Sequence, residues 1–285
     1  MSHLKNGRDQ RGDHSSWHDA VVKQQRAYLP VPEPQQLIHC RWAGDHGPFV
    51  ILLHQIPLSC RQYERAIPVL GDFCRAYGLD LPGYGMSPAP PAPLSMQEYA
   101  KRMLSAIDSL GADRFALVGL ETGVALGAEI FRQAGAKRVS HFVVMAPPPV
   151  DPVERRAFID DIGEPRKVDG THALPLWQRL QRRWGEDTDN ATLRMAFTET
   201  NNVYARYHWG LKAFAAYDYP AALEGISCPT VFLSGERDSM LPFAPAAAAL
   251  VPRAQHIVVP GGRPPLASIE RNTFADVIGD FVGRA

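Results

Sequence analysis

The residue most open to chemistry in this chain is the glutamate at the centre of Gly119-Leu-Glu-Thr-Gly123. An apolar run over 115–118 precedes that turn and an Ala/Leu-rich stretch follows it. The run reads as a buried strand and the stretch as a helix, which puts Glu121 at the tip of a sharp strand-to-helix turn. A helix N-terminus favours negative charge through its exposed N–H groups and its dipole. A carboxylate held there could remove a proton from a bound substrate, or hold a cationic or hydrogen-bond-donating ligand. His54, directly after the apolar run 49–53, is a second candidate. Tyr204, Tyr207 and His208, in Asn201-Asn-Val-Tyr-Ala-Arg-Tyr-His-Trp209, are further candidates that could act as acids or orient a substrate. Packing is the plainer role for such aromatics. Ser87 and Ser239 have no histidine in their sequence context, and neither is taken as a nucleophile.

The elements that must position Glu121 follow from periodicity. Short β-branched and apolar runs over 49–53, 74–79, 139–145, 229–234 and 256–259 read as strands. Between them lie helical patterns: one over 60–70, one opened by Ser95 with Met96, Tyr99, Met103 and Ile107 at helical spacing, and a closing helix over 273–282. Alternation of this kind specifies a mostly parallel central sheet with helices on both faces. The segment 148–219 has charged and aromatic helical stretches and no strand-like run, so it reads as a helical lid inserted into the core. Asp151 is placed to cap its first helix. The expected organisation is a polar tail over 1–20, a core over 21–147 and 220–285, and the lid over 148–219.

Composition narrows the function classes. The 285 residues carry 30 Lys+Arg against 30 Asp+Glu, which gives no electrostatic case for nucleic acid or an anionic membrane. No apolar stretch approaches the roughly 20 residues that span a bilayer. The four cysteines, Cys40, Cys60, Cys74 and Cys228, are far apart with no CxxC spacing, so neither a zinc site nor a disulfide framework is indicated. Reduced thiols fit a cytoplasmic protein. His3, His14 and His18 lie in the polar tail and read as solvated, with no metal site expected.

Five landmarks in register resemble the α/β-hydrolase superfamily: Leu53-His54-Gln55, Asp80-Leu-Pro-Gly-Tyr-Gly-Met-Ser87, Gly119-Leu-Glu-Thr-Gly123, Gly235-Glu-Arg-Asp-Ser-Met-Leu-Pro242 and Gly261-Gly-Arg-Pro-Pro-Leu-Ala-Ser-Ile-Glu270. The resemblance implies an α/β fold with a nucleophile at position 121, an acid at 238 and a histidine in the last loop. Only Asp238 conforms; Glu121 replaces the usual Ser, Cys or Asp, and Arg263 stands at the histidine position. The resemblance further implies an oxyanion hole made by the backbone N–H groups of Gln55 and Thr122, and a loop-shaping role for His54.

Arginine stays protonated and cannot activate a nucleophile or a water, so the serine acyl-enzyme route is not available from these positions. An enzyme that handles a proton on a small, largely apolar carbonyl compound, in lyase-, isomerase- or cyclase-like chemistry and without a cofactor, fits better. Glu121 would be base or anchor, with Arg263 and Asp238 as its electrostatic partners. The sequence leaves two alternatives: a hydrolase whose base comes from the lid, and a non-catalytic member that binds a ligand or protein. A small molecule is the expected partner, nucleic acid and membrane are not, and homo-oligomerisation is left open.

Overall fold

The computed structural model describes residues 24–32, 35–162, 169–185, 188–203 and 206–283. The tail read over 1–20 and the candidate Tyr204 lie outside these residues.

Eight strands form one sheet in the order β1-β2-β4-β3-β5-β6-β7-β8. They are β1 (Gln25–Val31), β2 (Gln36–Ala43), β3 (Phe49–Leu53), β4 (Arg75–Leu79), β5 (Phe115–Leu120), β6 (Val139–Met145), β7 (Thr230–Gly235) and β8 (Gln255–Val259). The hairpin β1-β2 and the pair β2-β4 are antiparallel, and every other pairing is parallel. β3 and β5 are buried along their whole length because helices cover both faces, which is why they read as unbroken apolar runs. β8 at the far edge is mostly exposed.

The helices are α1 (Ile67–Leu70), α2 (Met96–Asp108), α3 (Thr122–Arg138), α4 (Pro152–Ile162), α5 (Ala173–Trp184), α6 (Asn190–Asn202), α7 (Tyr207–Ala215), α8 (Tyr219–Glu224), α9 (Ala244–Ala249), α10 (Leu266–Ile269) and α11 (Arg271–Val282). α2 opens with a full capping box. The Ser95 hydroxyl accepts from the Glu98 N–H, and the Glu98 carboxylate accepts from the Ser95 N–H. Asp151 Oδ1 accepts from the N–H groups of Val153 and Glu154 at 2.9 Å each, the cap its position implied.

The single helix expected over 60–70 is instead a 3₁₀ turn at Cys60–Tyr63 followed by the short α1. Pro68 in the first turn of α1 explains the break: it has no N–H to bond back into a continuous helix. The helices α4 to α8 fill the chain between β6 and β7, with no strand among the described residues there. Part of their packing is a separate apolar cluster of Leu176, Leu180, Trp184, Leu193 and Ala196 with Leu58 of the core. That contact sets α5 and α6 down on the loop that follows β3.

Candidate active site

The turn between β5 and α3 is tightly determined. Glu121 has φ 54° and ψ −118°, a conformation that a side chain adopts rarely and at a cost of order 1–3 kcal/mol. Its N–H donates to Met145 O at 2.9 Å and its C=O accepts from Val124 N–H at 2.8 Å. The flanking glycines are required by crowding. A Cβ on Gly123 would lie 2.5 Å from Leu53 O and 2.9 Å from His54 O, and one on Gly119 would lie 2.8 Å from Gly123 O. The end of β3 and the start of α3 therefore touch through backbone alone. Thr122 locks the same junction, its hydroxyl accepting from Ile56 N–H at 2.8 Å.

This geometry lifts the Glu121 carboxylate into a small cavity and buries it, with the residue only 2% exposed. Oε2 accepts from the guanidinium of Arg183, at the end of α5. Oε1 is buried and has no hydrogen-bond partner. Burial pushes the carboxyl above the usual glutamate range, Arg183 and Arg179 pull it back down, and Asp238 adds to the upward push. The cavity measures about 20 Å³, room for about one water, and Arg183, Trp184, Asp238, Met240 and Pro265 are among the residues that wall it.

Asp238 faces the same cavity from the loop after β7. Its Oδ1 accepts from Met240 N–H at 2.9 Å. Burial raises its pKa against the opposing effects of that N–H and of Arg183. Arg183 thus lies between two carboxyls that burial drives toward the neutral form. Its guanidinium also touches Met240 Sδ at 3.6 Å and stacks 5.2 Å from the Phe158 ring, which fixes its direction.

Two expectations are corrected here. Arg263 is not the cation on Glu121. Its Nε pairs with Glu270 at 3.6 Å, and its neighbours Pro264 and Pro265, rather than Arg263, line the cavity. Arg183 of the inserted helices takes that electrostatic role. Gln55 does not present its N–H to an anion either, because that N–H donates to Gln62 Oε1 at 3.0 Å. Gln62 Nε2 returns a bond to Gln55 Oε1 at 2.9 Å, so the two amides clamp each other. Thr122, as the first residue of α3, keeps the helix-terminal N–H that geometry leaves without an intrahelical acceptor.

The remaining candidates lie elsewhere. His54 is fully buried, with Nδ1 donating to Gln55 O at 2.9 Å and Nε2 accepting from Leu81 N–H at 3.0 Å, so it ties two loops together. Burial depresses its pKa, with Asp80 opposing. The Tyr207 hydroxyl donates to Ile162 O at 3.3 Å from a fully buried ring. His208 packs edge-on against Tyr207 and lines neither this cavity nor the larger one described below.

His39, Cys60 and Asp80 are close enough together to suggest a metal site. The Asp80 oxygens are already taken by Cys60 N–H at 2.7 Å, Met86 N–H at 2.9 Å and His39 Nδ1 at 2.8 Å. Burial keeps the Cys60 thiol protonated by raising its pKa well above the ordinary value. The cluster is a satisfied hydrogen-bond network that holds the loop after β4.

Arg183 escaped the sequence reading because Arg179, Arg182 and Arg183 look like a solvated basic face. The signal was present in the spacing. Leu176, Leu180 and Arg183 recur at i, i+4 and i+7, so Arg183 lies on the apolar stripe of α5.

A mostly parallel eight-stranded sheet with a strained strand-to-helix turn at its centre defines a class of α/β fold built around one projecting side chain. A profile of the alpha/beta hydrolase family matches residues 37–270, and the chain belongs to that family. It is similar to the non-heme haloperoxidase of Rhodococcus erythropolis, 25% identical over 273 residues covering 88% of this chain and 97% of that protein. It is also similar to the pimeloyl-[acyl-carrier protein] methyl ester esterase of Xanthomonas campestris pv. campestris, 26% identical over 224 residues covering 76% and 88%. Among solved structures, the bromoperoxidase from Bacillus anthracis superposes with a TM-score of 0.75 at 18% identity, covering 90% of this chain and 99% of that one, which shows the fold.

Proposed function

We propose that this chain is an enzyme of the alpha/beta hydrolase family that acts, without a cofactor, on a small, largely apolar carbonyl compound, with Glu121 as the group that moves a proton. The observation that carries this reading is the state of the Glu121 carboxylate. It is buried on a strained turn, with one oxygen on Arg183 and the other without a partner. A carboxyl shifted upward by burial is a stronger base once ionised, and at neutral pH a raised value moves it toward the range where bases work well. Arg183 opposes that upward push while the site is closed. Substrate entry requires α5 to withdraw Arg183 and Trp184, because the closed cavity is too small for a metabolite. Arg183 would then be free to pair with negative charge developing on the substrate, with the Thr122 N–H beside it.

The names of the relatives point to ester and halide chemistry, and the family resemblance ties that chemistry to a nucleophile and a histidine. Here those positions hold Glu121 and Arg263. The test pairs a panel of p-nitrophenyl esters with identification, by mass spectrometry, of any metabolite that co-purifies with the protein. Under this reading the esters are not turned over, the metabolite is converted, and Glu121→Gln stops the conversion. Clear ester turnover by the unaltered protein, or full activity in Glu121→Gln, would overturn it.

The second reading, a non-catalytic binder, is favoured by one observation: inserted-helix residues already occupy the space over Glu121. It predicts a co-purified ligand that is retained without chemical change.

A further inference from the structure

A cavity of about 560 Å³ opens beside the antiparallel end of the sheet, and none of its lining residues is shared with the Glu121 cavity. Its volume suits a small metabolite. The lining is dominated by arginine: Arg26 and Arg41 from the β1-β2 hairpin, Arg61 and Arg65 from the segment after β3, and Arg271 at the start of α11. Three carboxylates, Glu64, Asp80 and Glu199, line the same cavity, and a fourth, Asp189, reaches Arg65 from outside the lining.

The carboxylates are already committed. Asp80 is held by His39 and two backbone N–H groups. Arg61 takes Glu199 at 2.9 Å and Glu64 at 3.4 Å. Arg65 forks onto Asp189 of the inserted segment at 3.0 and 3.1 Å. Arg41 is left with little. It is 8% exposed, its NH1 donates to the neutral amide of Gln24 at 2.9 Å, and its approach to the shared Glu64 is 3.9 Å. Its Nε is buried with no partner at all. Arg26 and Arg271 are exposed at the rim and make no ion pair among the described residues. A buried guanidinium without a full counter-charge is costly, and an anion bound beside it would offset that cost. Planar guanidinium forks match carboxylate and phosphate oxygens, and several converging on one cavity select a ligand with more than one such group.

We propose that this arginine-lined cavity binds a small polyanion, a molecule carrying two or more carboxylate or phosphate groups. Such a ligand is different in chemistry and in place from the apolar compound assigned to Glu121. Because Glu199 and Asn202 of α6 form one wall, the ligand sits at the seam between the core and the inserted helices.

The test is calorimetric titration of the full chain in low-salt buffer with citrate and, separately, with pyrophosphate, using glycerol as the uncharged control. Binding of one equivalent of either anion is expected, weakening as salt is added and weakening about tenfold or more in the double variant Arg26→Gln/Arg271→Gln. Both arginines are exposed, so the variant should retain the unaltered melting temperature, which is checked alongside. Citrate alone binding assigns a polycarboxylate, and pyrophosphate alone assigns a phosphorylated ligand. The proposal fails if neither anion gives saturable heat at millimolar concentration. It also fails if glycerol binds as well, or if the double variant binds with unchanged affinity. None of these outcomes depends on the activity proposed for Glu121.

Discussion

Arg183 places its guanidinium on Oε2 of Glu121 across 62 positions of sequence, from the last turn of α5 to the tip of the β5-α3 turn. Both side chains are largely out of water, at 15% and 3% exposure. A buried pair of this kind is a poor source of net stability, because desolvation offsets the attraction, yet breaking it from one side is expensive. Its value here is positional: one contact both opposes the upward push of burial on the carboxyl and closes the inserted helices over it.

That balance gives the first prediction. Arg183→Met leaves Glu121 buried without its cation and should cost about 3 kcal/mol of unfolding free energy in urea. The double variant Glu121→Leu/Arg183→Met removes both charges and should return close to the unaltered stability. If the single and double variants lose the same amount, the pair is not what Arg183 contributes.

The second prediction concerns pH. Glu121 has its folded pKa raised by burial, so its charged form appears only as pH rises past the ordinary glutamate range. If it is the base, kcat/KM on the converted metabolite should fall on the acid side with an apparent pKa above that range. Arg183→Met should move this limb further upward, since it removes the main influence pulling the value down. An acid limb at the ordinary glutamate value in both proteins would show that Glu121 is not the titrating group. For stability the sign is the same: burial of Glu121 is tolerated fully below the ordinary glutamate pKa and becomes unfavourable as pH rises through the folded value.

The third prediction tests the junction under the site. Thr122→Val removes the acceptor for Ile56 N–H and leaves that buried donor unpaired, at a cost of about 1–3 kcal/mol in thermal or chemical unfolding. Gly123→Ala should lose about 3 kcal/mol or more, because the new Cβ meets two backbone oxygens that cannot swing aside. A soluble Gly123→Ala protein with an unchanged melting temperature would mean that the β3-α3 contact is looser than described.

The fourth prediction addresses the other anchor of the inserted helices. Asp189 caps α6 through Thr192 N–H at 2.9 Å and receives both arms of Arg65. Burial works against its charge, but the bonds from Arg65 and Thr192 outweigh that and hold its pKa at about 2. A carboxyl with a lowered folded pKa contributes stability above its unfolded value of about 4 and loses it as pH falls toward about 2. Hydrogen exchange of α5 and α6 should therefore speed up across that window. Asp189→Asn keeps the cap but not the charge, so its exchange should already be faster at neutral pH and change less on acidification. Equal acid sensitivity in both proteins would assign the effect to other groups.

The sequence by itself determined the architecture. Runs such as 49–53 and 115–118 are apolar on every residue because both faces of a parallel sheet are covered, and that property is local enough to read from a string. The turn at Gly119-Leu-Glu-Thr-Gly123 was equally legible, since two glycines are needed wherever backbones meet without side chains. So were the cap at Ser95 and the cap at Asp151, each a matter of a few adjacent residues. The helical character of 148–219 was also visible, although the split of 60–70 into a turn and a short helix turned on Pro68.

Only the tertiary structure decided the electrostatics of the site. Sequence order put Arg263 opposite Glu121 because the landmark loop that usually carries the histidine contains it. Its side chain pairs with Glu270 instead, and the cation on Glu121 comes from α5. Likewise, nothing in the string shows that Gln62 occupies the N–H of Gln55, or that five arginines from the hairpin, the segment after β3 and α11 share one cavity. Strands and turns are set by neighbours a few residues apart. Which charge faces which depends on how separate elements pack, and a single basic residue looks the same in sequence whether its guanidinium meets water or a buried carboxylate.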